Sequence, residues 1–193
     1  MMRHSPPPSS SVVVGIDGSR SAITAALWAV DEAVERDIPV RLVYALEPDG
    51  ASDPDPHDTA RRLARADITI REAIVAVEST DAPVKIEVEI LRGRPAQVLL
   101  EASSSAAMIC VGAVGLHHAP GTGLGSTAAA LAVVAPCPVA IIRGYRQSSA
   151  DPGWIVAEVD ESPSGRHLLE RAADEARLHD TNCSVLICEP GAT

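Results

Sequence analysis

The apolar residues of this chain come in short blocks separated by longer amphipathic stretches. VVVGID, from Val12, is a β-branched block too short for a helix, and ITAALWAVDEAVER follows it with Ser19 or Ser21 placed to cap a helix. VRLVYALE, from Val40, is a second strand, so the first 47 residues read β-α-β. Unbroken apolar strands alternating with helices predict a parallel sheet covered on both faces. The stretch from Glu47 to Asp58 holds three prolines and four aspartates and predicts an exposed loop. A helix is expected from about Thr59 to Ser79, because Leu63, Ala66, Ile70, Ile74 and Val77 recur at spacings of three or four. VKIEVEIL, Val84 to Leu91, alternates strictly and reads as a third strand at a sheet edge. After a turn at Gly93 and Pro95 come the helix AQVLLEAS, a fourth strand AMICV ending at Val111, and a glycine-rich loop from Gly112 to Gly125. A helix from about Ser126 to Val134 and a fifth strand from Pro138 to Ile142 complete one α/β domain of five parallel strands.

Beyond a hydrophilic link, Arg143 to Gly153, the pattern starts again. WIVAEVDESPSGRHLLERAADEARLHDTNCSVLICEP matches Asp17 with Asp160, Ser19 with Ser162, Ser21 with Ser164 and Ala33 with Ala176; a loop one residue shorter then brings Glu47-Pro48 onto Glu189-Pro190. The repeat stops before any counterpart of the glycine-rich loop, and Glu158 stands where the first copy has Gly15. A piece of about 40 residues rarely makes a core alone, so this one is expected to pack on the first domain, to pack on a partner chain, or to stay loosely ordered. The expected organisation is a disordered Pro- and Ser-rich tail over 1–11, a complete domain over 12–144, a linker over 145–153 and a truncated second domain over 154–193.

Composition then narrows the chemistry. The chain has 193 residues, 46% hydrophobic and 22% charged, which suits a globular protein. It has no Phe and only two Trp and two Tyr, so its core must be built from Ala, Val, Leu and Ile, and Trp28 and Trp154 read as packing residues. Single-strand binders stack bases on aromatic rings and duplex binders present a basic surface. With 16 Lys plus Arg against 26 Asp plus Glu and a net charge of -10, a nucleic-acid partner is not expected. No apolar run approaches the roughly 20 residues of a membrane span, and MMRHSPPPSSS lacks a signal-peptide core, so a cytoplasmic protein with no membrane partner is expected. Cys110, Cys137, Cys183 and Cys188 form no C-x-x-C pair and read as small buried hydrophobes, ahead of a zinc site or a disulfide framework.

The informative segment is GAVGLHHAPGTGLGST. It spells Gly112-x-x-Gly115, nine further residues, then Gly125-Ser126-Thr127, between a strand and a helix. Glycines there let backbone amides approach a polyphosphate, while Ser126, Thr127 and the helix N-terminus add donors and a favourable dipole. The same glycines also serve ordinary turns. The segment is neither a Walker A loop nor a G-x-G-x-x-G dinucleotide fingerprint. His117 and His118 are in reach of a phosphate on this loop, though a solvated pair without carboxylate partners is the plainer reading and a poor metal site. Arg92, Arg94 and the other cationic residues read as solvated.

With VVVGIDGS at the first strand, G-x-P at Gly93 to Pro95, ICVG followed by the full glycine spacing through Gly125-Ser126, and APCPVAIIRG at the fifth strand, the chain resembles the universal stress protein family over residues 12–144. The likeness is to its nucleotide-binding branch, in the tandem-domain form common in actinobacteria. The resemblance implies a doubly wound sheet of order 3-2-1-4-5, with strands 1 and 4 side by side and ligand bound at their carboxyl ends. It further implies that Asp17 contacts the nucleoside, that the backbone near Ala45 meets the adenine edge, and that Val111 and Gly112 lie by the ribose. Gly115, Gly125, Ser126 and Thr127 would hold the phosphates, usually with a magnesium ion. For Asp17 a helix-capping role is the alternative. The family pattern departs at Val114, where many members carry a polar or basic residue, and at HHAPGTG, where the loop middle is often apolar.

Three functions follow from these residues. The first is an ATP-binding regulatory protein of the stress response; the second, a weak ATPase; the third, a structural or interaction protein of the same fold that binds no nucleotide. Phosphoryl transfer usually needs a Lys or Arg beside the phosphates, and Gly112 to Thr127 contains neither, which places the ATPase behind the regulatory protein. VAIIR would be an apolar sheet edge, at which the resemblance implies a homodimer; a dimer, or contact with the truncated second unit, is expected through residues 138–143.

Overall fold

Ser11–Ile16 form strand β1, which begins one residue inside the expected tail and is buried along almost its whole length. It lies at the centre of the sheet in the computed structural model, which describes residues 10–48, 56–116, 123–143, 154–159, 163–178 and 182–187. Most of the expected tail, the linker over 145–153, His117, His118, Asp160 and Cys188 lie outside the described residues.

After β1 come helix α1 (Arg20–Glu35), β2 (Val40–Leu46), α2 (Pro56–Glu78), β3 (Ile86–Arg92), α3 (Pro95–Ser103), β4 (Ala106–Gly112), α4 (Ser126–Val134) and β5 (Val139–Ile142). All strand pairings are parallel and the order is β3-β2-β1-β4-β5, as the resemblance implied. Between the two candidate caps, Ser19 is the N-cap of α1. Helix α2 starts three residues earlier than expected, because a proline counted toward a loop, Pro56, is also compatible with a first helical turn that lacks an N–H partner. β3 starts at Ile86 rather than Val84, since the ladder to β2 opens with the Val40 N–H on the Lys85 carbonyl. It is an edge strand, as its alternation predicted.

Successive strand residues point to opposite faces, and here both faces are covered. Val12, Val14 and Ile16 pack with Ala22, Ala25, Ala26, Ala29, Val30 and Ala33 of α1 and with Ile70, Ala73 and Val77 of α2. Val13, Val43, Ile109 and Val111 pack with Val98 and Leu99 of α3 and Ala128 and Leu131 of α4. The alanine face of α1 substitutes close backbone approach for the missing aromatic volume. Trp28 is partly buried against the α1 and α2 core, as a packing residue should be. Cys110 is buried, but Cys137 is only half-buried, so it is not the fully enclosed hydrophobe expected; burial still pushes its thiol up from the ordinary value, which keeps it neutral.

A second unit begins after Tyr145. It consists of β6 (Trp154–Val159), α5 (Pro163–Leu178) and β7 (Asn182–Ile187), with β6 and β7 paired in parallel from Trp154↔Asn182 to Val159↔Ile187. Ala157, Val159 and Ala172 form its small core, with Ile155 packed alongside. On α5, the buried Glu175 carboxylate is paired with Arg171 one turn earlier at 3.2 Å.

Leu42 is fully buried between β2 and the α1 and α2 layer. Leu42→Ala is expected to lower the unfolding free energy by about 2–5 kcal/mol through lost burial and the cavity left behind. Urea denaturation should show this as a lower midpoint at unchanged slope; a loss below about 1 kcal/mol would mean that the sheet is not covered on this face.

Candidate functional site

The crossovers leave β1 toward one face of the sheet and β4 toward the other, so a crevice opens between the carboxyl ends of these neighbouring strands. Asp17 is the first residue past β1. Gly18 follows with φ of +87°, a left-handed conformation that glycine adopts without strain, and Ser19 Oγ accepts the Ala22 N–H at 3.1 Å to cap α1. The Asp17 carboxylate is not itself the cap. Its Oδ1 accepts the Ser19 N–H at 2.8 Å and its Oδ2 accepts the Leu116 N–H at 3.2 Å, so one side chain ties the β1–α1 turn to the β4–α4 loop.

A second tie lies beside it. Ser21 Oγ, on the first turn of α1, donates a short hydrogen bond to the Val114 carbonyl. This brings α1 so near the end of β4 that a Cβ on Gly112 would sit 2.5 Å from Ser21 Oγ and 2.7 Å from the Ser21 carbonyl carbon. A Cβ on Gly115 would sit 2.8 Å from Asp17 Oδ2. Gly112 is therefore required by packing before any ligand is considered, whereas a side chain at Gly115 would have only the Asp17 carboxylate to displace. The far end of the loop returns to the same place: the Gly125 N–H donates to the Ala113 carbonyl at 2.8 Å. Gly125 is the N-cap of α4 and supplies no side-chain cap, which leaves first-turn amides of α4 free of side-chain acceptors at the neck of the loop.

Of the residues proposed from the sequence, Asp17, Gly112, Gly115 and Gly125 come together through these contacts. Ser126 is exposed and Thr127 half-buried on the first turn of α4. Ala45 lies one residue past Tyr44, which pairs with Ile16, and so stands level with Asp17 on the neighbouring strand. The Val111 side chain is committed to the α3 and α4 core, which leaves its backbone as the part available at the crevice. Ser21 and Leu116 were not foreseen; their roles depend on contacts between segments more than 90 residues apart. Also unforeseen is a cleft of about 470 Å³ beside Asp17, between Gly18 and Leu116 on one side and Arg61, Ala64, Arg65, Ile68, Thr69 and Glu72 of α2 on the other. Those six residues recur at helical spacing, but the spacing does not say which strand ends they face. Among the described residues no group of three or more His, Cys, Asp or Glu is placed to hold a metal ion, and no helix is long and apolar enough to cross a membrane.

The sequence profile of the universal stress protein family matches residues 9–143. Universal stress protein Rv2028c of Mycobacterium tuberculosis is 52% identical over 186 residues, covering 96% of this chain and 66% of its own length. Universal stress protein Rv2624c of the same organism is 48% identical over 173 residues, covering 89% and 62%. The chain thus spans just under two thirds of these relatives. Among solved structures, a universal stress protein in complex with cAMP is 25% identical with a TM-score of 0.57, covering 71% of this chain and 99% of that one.

Gly112→Ala tests the packing at the neck. The added methyl meets the Ser21 backbone, which cannot rotate away, so a loss of about 1–3 kcal/mol is expected in the nucleotide-free protein. Thermal or urea unfolding at unchanged stability would show that α1 does not seat on the end of β4 as described.

Proposed function

Because the chain belongs to the universal stress protein family, we propose that its first unit is a nucleotide-binding regulatory module that holds ATP between the carboxyl ends of β1 and β4. The observation that carries this reading is the convergence of one carboxylate, three glycines and a helix N-terminus without a side-chain cap at a single crevice. The cAMP bound to a structure of similar fold supports an adenine nucleotide as the ligand class.

Each residue then has a chemical part. Asp17, an acceptor only, takes a hydroxyl or amino group of the nucleoside. The backbone at Ala45 faces the adenine edge, and that at Val111 and Gly112 borders the ribose. The Gly115 amide and the first-turn amides of α4 after Gly125, whose own N–H is held by the Ala113 carbonyl, take the phosphates together with the Ser126 and Thr127 hydroxyls. Magnesium arriving with ATP would be held by phosphate oxygens and water, as this ion commonly is, with the Ser126 and Thr127 hydroxyls as protein oxygens on the same turn. With no Lys or Arg from Gly112 to Thr127, binding is favoured over phosphoryl transfer. Regulation has a physical route as well: a ligand hydroxyl at Asp17 Oδ2 competes with the Leu116 N–H, so occupancy loosens the tie between the two loops.

Two wider proposals accompany this one. The second unit, with β6, α5 and β7 in the same order as β1, α1 and β2, is read as a repeat of the domain that carries no glycine loop within this chain. Strand β5, last in the sheet and half-buried throughout, is read as the edge through which two copies pair over residues 138–143.

Mass spectrometry of the purified protein is expected to find an adenine nucleotide, and Asp17→Ala should weaken ATP binding at least about tenfold, the loss of one charged hydrogen bond. A protein that binds no nucleotide with magnesium present would sink the proposal; sustained phosphate release lost in Asp17→Ala would replace it with the ATPase. For the dimer, light scattering at micromolar concentration should give twice the 20.1 kDa chain mass, and a monomer would contradict it.

A further inference from the structure

The cleft beside Asp17 is chemically unlike the glycine neck. Its volume of about 470 Å³ falls within the roughly 300–1,000 Å³ usual for small-molecule sites. Ala64, Ile68 and Leu116 give it an apolar lining, Thr69 a hydroxyl, and Arg61 and Arg65, one turn apart on α2, two guanidinium groups. Glu72 brings a carboxylate two turns further along the helix. Arg65 makes no ion pair among the described residues. Arg61 pairs with Asp58, but the arginine is 81% exposed, and a surface pair of this kind contributes little and yields readily to a stronger anion. Ile68 is 57% and Leu116 45% exposed, which leaves apolar surface at the cleft for the body of a ligand to cover.

Guanidinium forks match phosphate oxygens bidentately; Arg65 offers its fork without an ion pair among the described residues, while Asp58 on Arg61 and Glu72 two turns further along are the carboxylates that a phosphate has to outcompete. We propose that this cleft is a phosphate-recognising site, in which Arg61 and Arg65 hold a phosphate group and Ile68 and Leu116 pack the body of the molecule that carries it. Helices α2 and α4 cover opposite faces of the sheet, so a phosphate here is additional to any at Gly125. It comes either from a second phosphate of the nucleotide at Asp17 or from a separate phosphorylated molecule. The shared chemistry is a phosphate group attached to an apolar or planar body.

Isothermal titration of the full chain and of the Arg61→Ala/Arg65→Ala double variant tests this, with AMP, adenosine 3′,5′-bisphosphate and inorganic pyrophosphate as probes. Pyrophosphate binding to the wild type is expected to weaken at least about tenfold in the variant, while AMP binding changes less than about twofold. If the bisphosphate binds more tightly than AMP and loses that gain in the variant, the phosphate belongs to the same nucleotide. If pyrophosphate binds equally well to protein saturated with AMP, it belongs to a separate molecule. The site is overturned if the wild type binds neither pyrophosphate nor the bisphosphate, or if the variant binds both as the wild type does. Pyrophosphate binding that depends on the arginines, without any AMP binding, would keep this site and remove the nucleotide reading.

Discussion

The mouth of this domain depends on one carboxylate. Asp17 receives an N–H from its own turn on one oxygen and an N–H from the β4–α4 loop on the other, across 99 residues of sequence. The bond to Ser19 is half-buried and that to Leu116 is exposed to competing water, so the tie between the loops is one that a ligand can displace. The neighbouring residues are those that let this happen: Gly115 leaves room for Oδ2, Gly112 leaves room for Ser21, and Gly125 closes the loop on Ala113. A ligand that reaches Asp17 therefore enters a structural joint, and its binding energy acts on the loops directly.

That joint is possible only because α1 lies close to the strands. Ala22, Ala25, Ala26, Ala29 and Ala33 are buried on α1, and Val30 is the largest apolar side chain buried with them, so the helix seats close to the strands. Chain topology does the rest. Right-handed crossovers carry α1 and α2 over one face as the chain moves from β1 to β3, and the return to β4 puts α3 and α4 on the other. The scarcity of aromatics thus has a structural counterpart: thin helices permit the backbone-to-backbone approach on which the crevice is built.

The regular elements were legible because burial on both faces leaves a strong pattern. VVVGI and AMICV have no polar residue to break them, VKIEVEIL announces an edge by its alternation, and the helix from Ser126 to Val134 was placed at both ends by Gly125 and the following Pro136 and Pro138. The start of α2 was missed because the same prolines suit a loop and a first helical turn. At the site, Gly112 illustrates the limit. Its type and spacing marked it for a phosphate loop, but the atoms that forbid a side chain there belong to Ser21, and no periodicity links those two positions. Arg61 and Arg65 were invisible as site residues for a similar reason, since an exposed cation on an amphipathic helix looks the same whether it faces solvent or a cleft.

Net charge was the least informative quantity for the ligand. A value of -10 argues against a polyanionic partner that must lie along the whole surface, but a bound phosphate feels mainly the groups within about 8 Å at physiological salt. At the neck those groups are amides and a helix N-terminus, which carry positive potential without any formal charge. In the α2 cleft they are the Arg61 and Arg65 guanidinium groups, set against the carboxylates of Glu72 and of Asp58, which pairs with Arg61. Net charge is therefore no argument against the proposed phosphate positions, which would rest on local donors. On the proposed reading the Asp17 carboxylate would repel a phosphate from its own place and accept a hydroxyl or amino group instead, which is the ordering of polar groups that a nucleotide carries along its length.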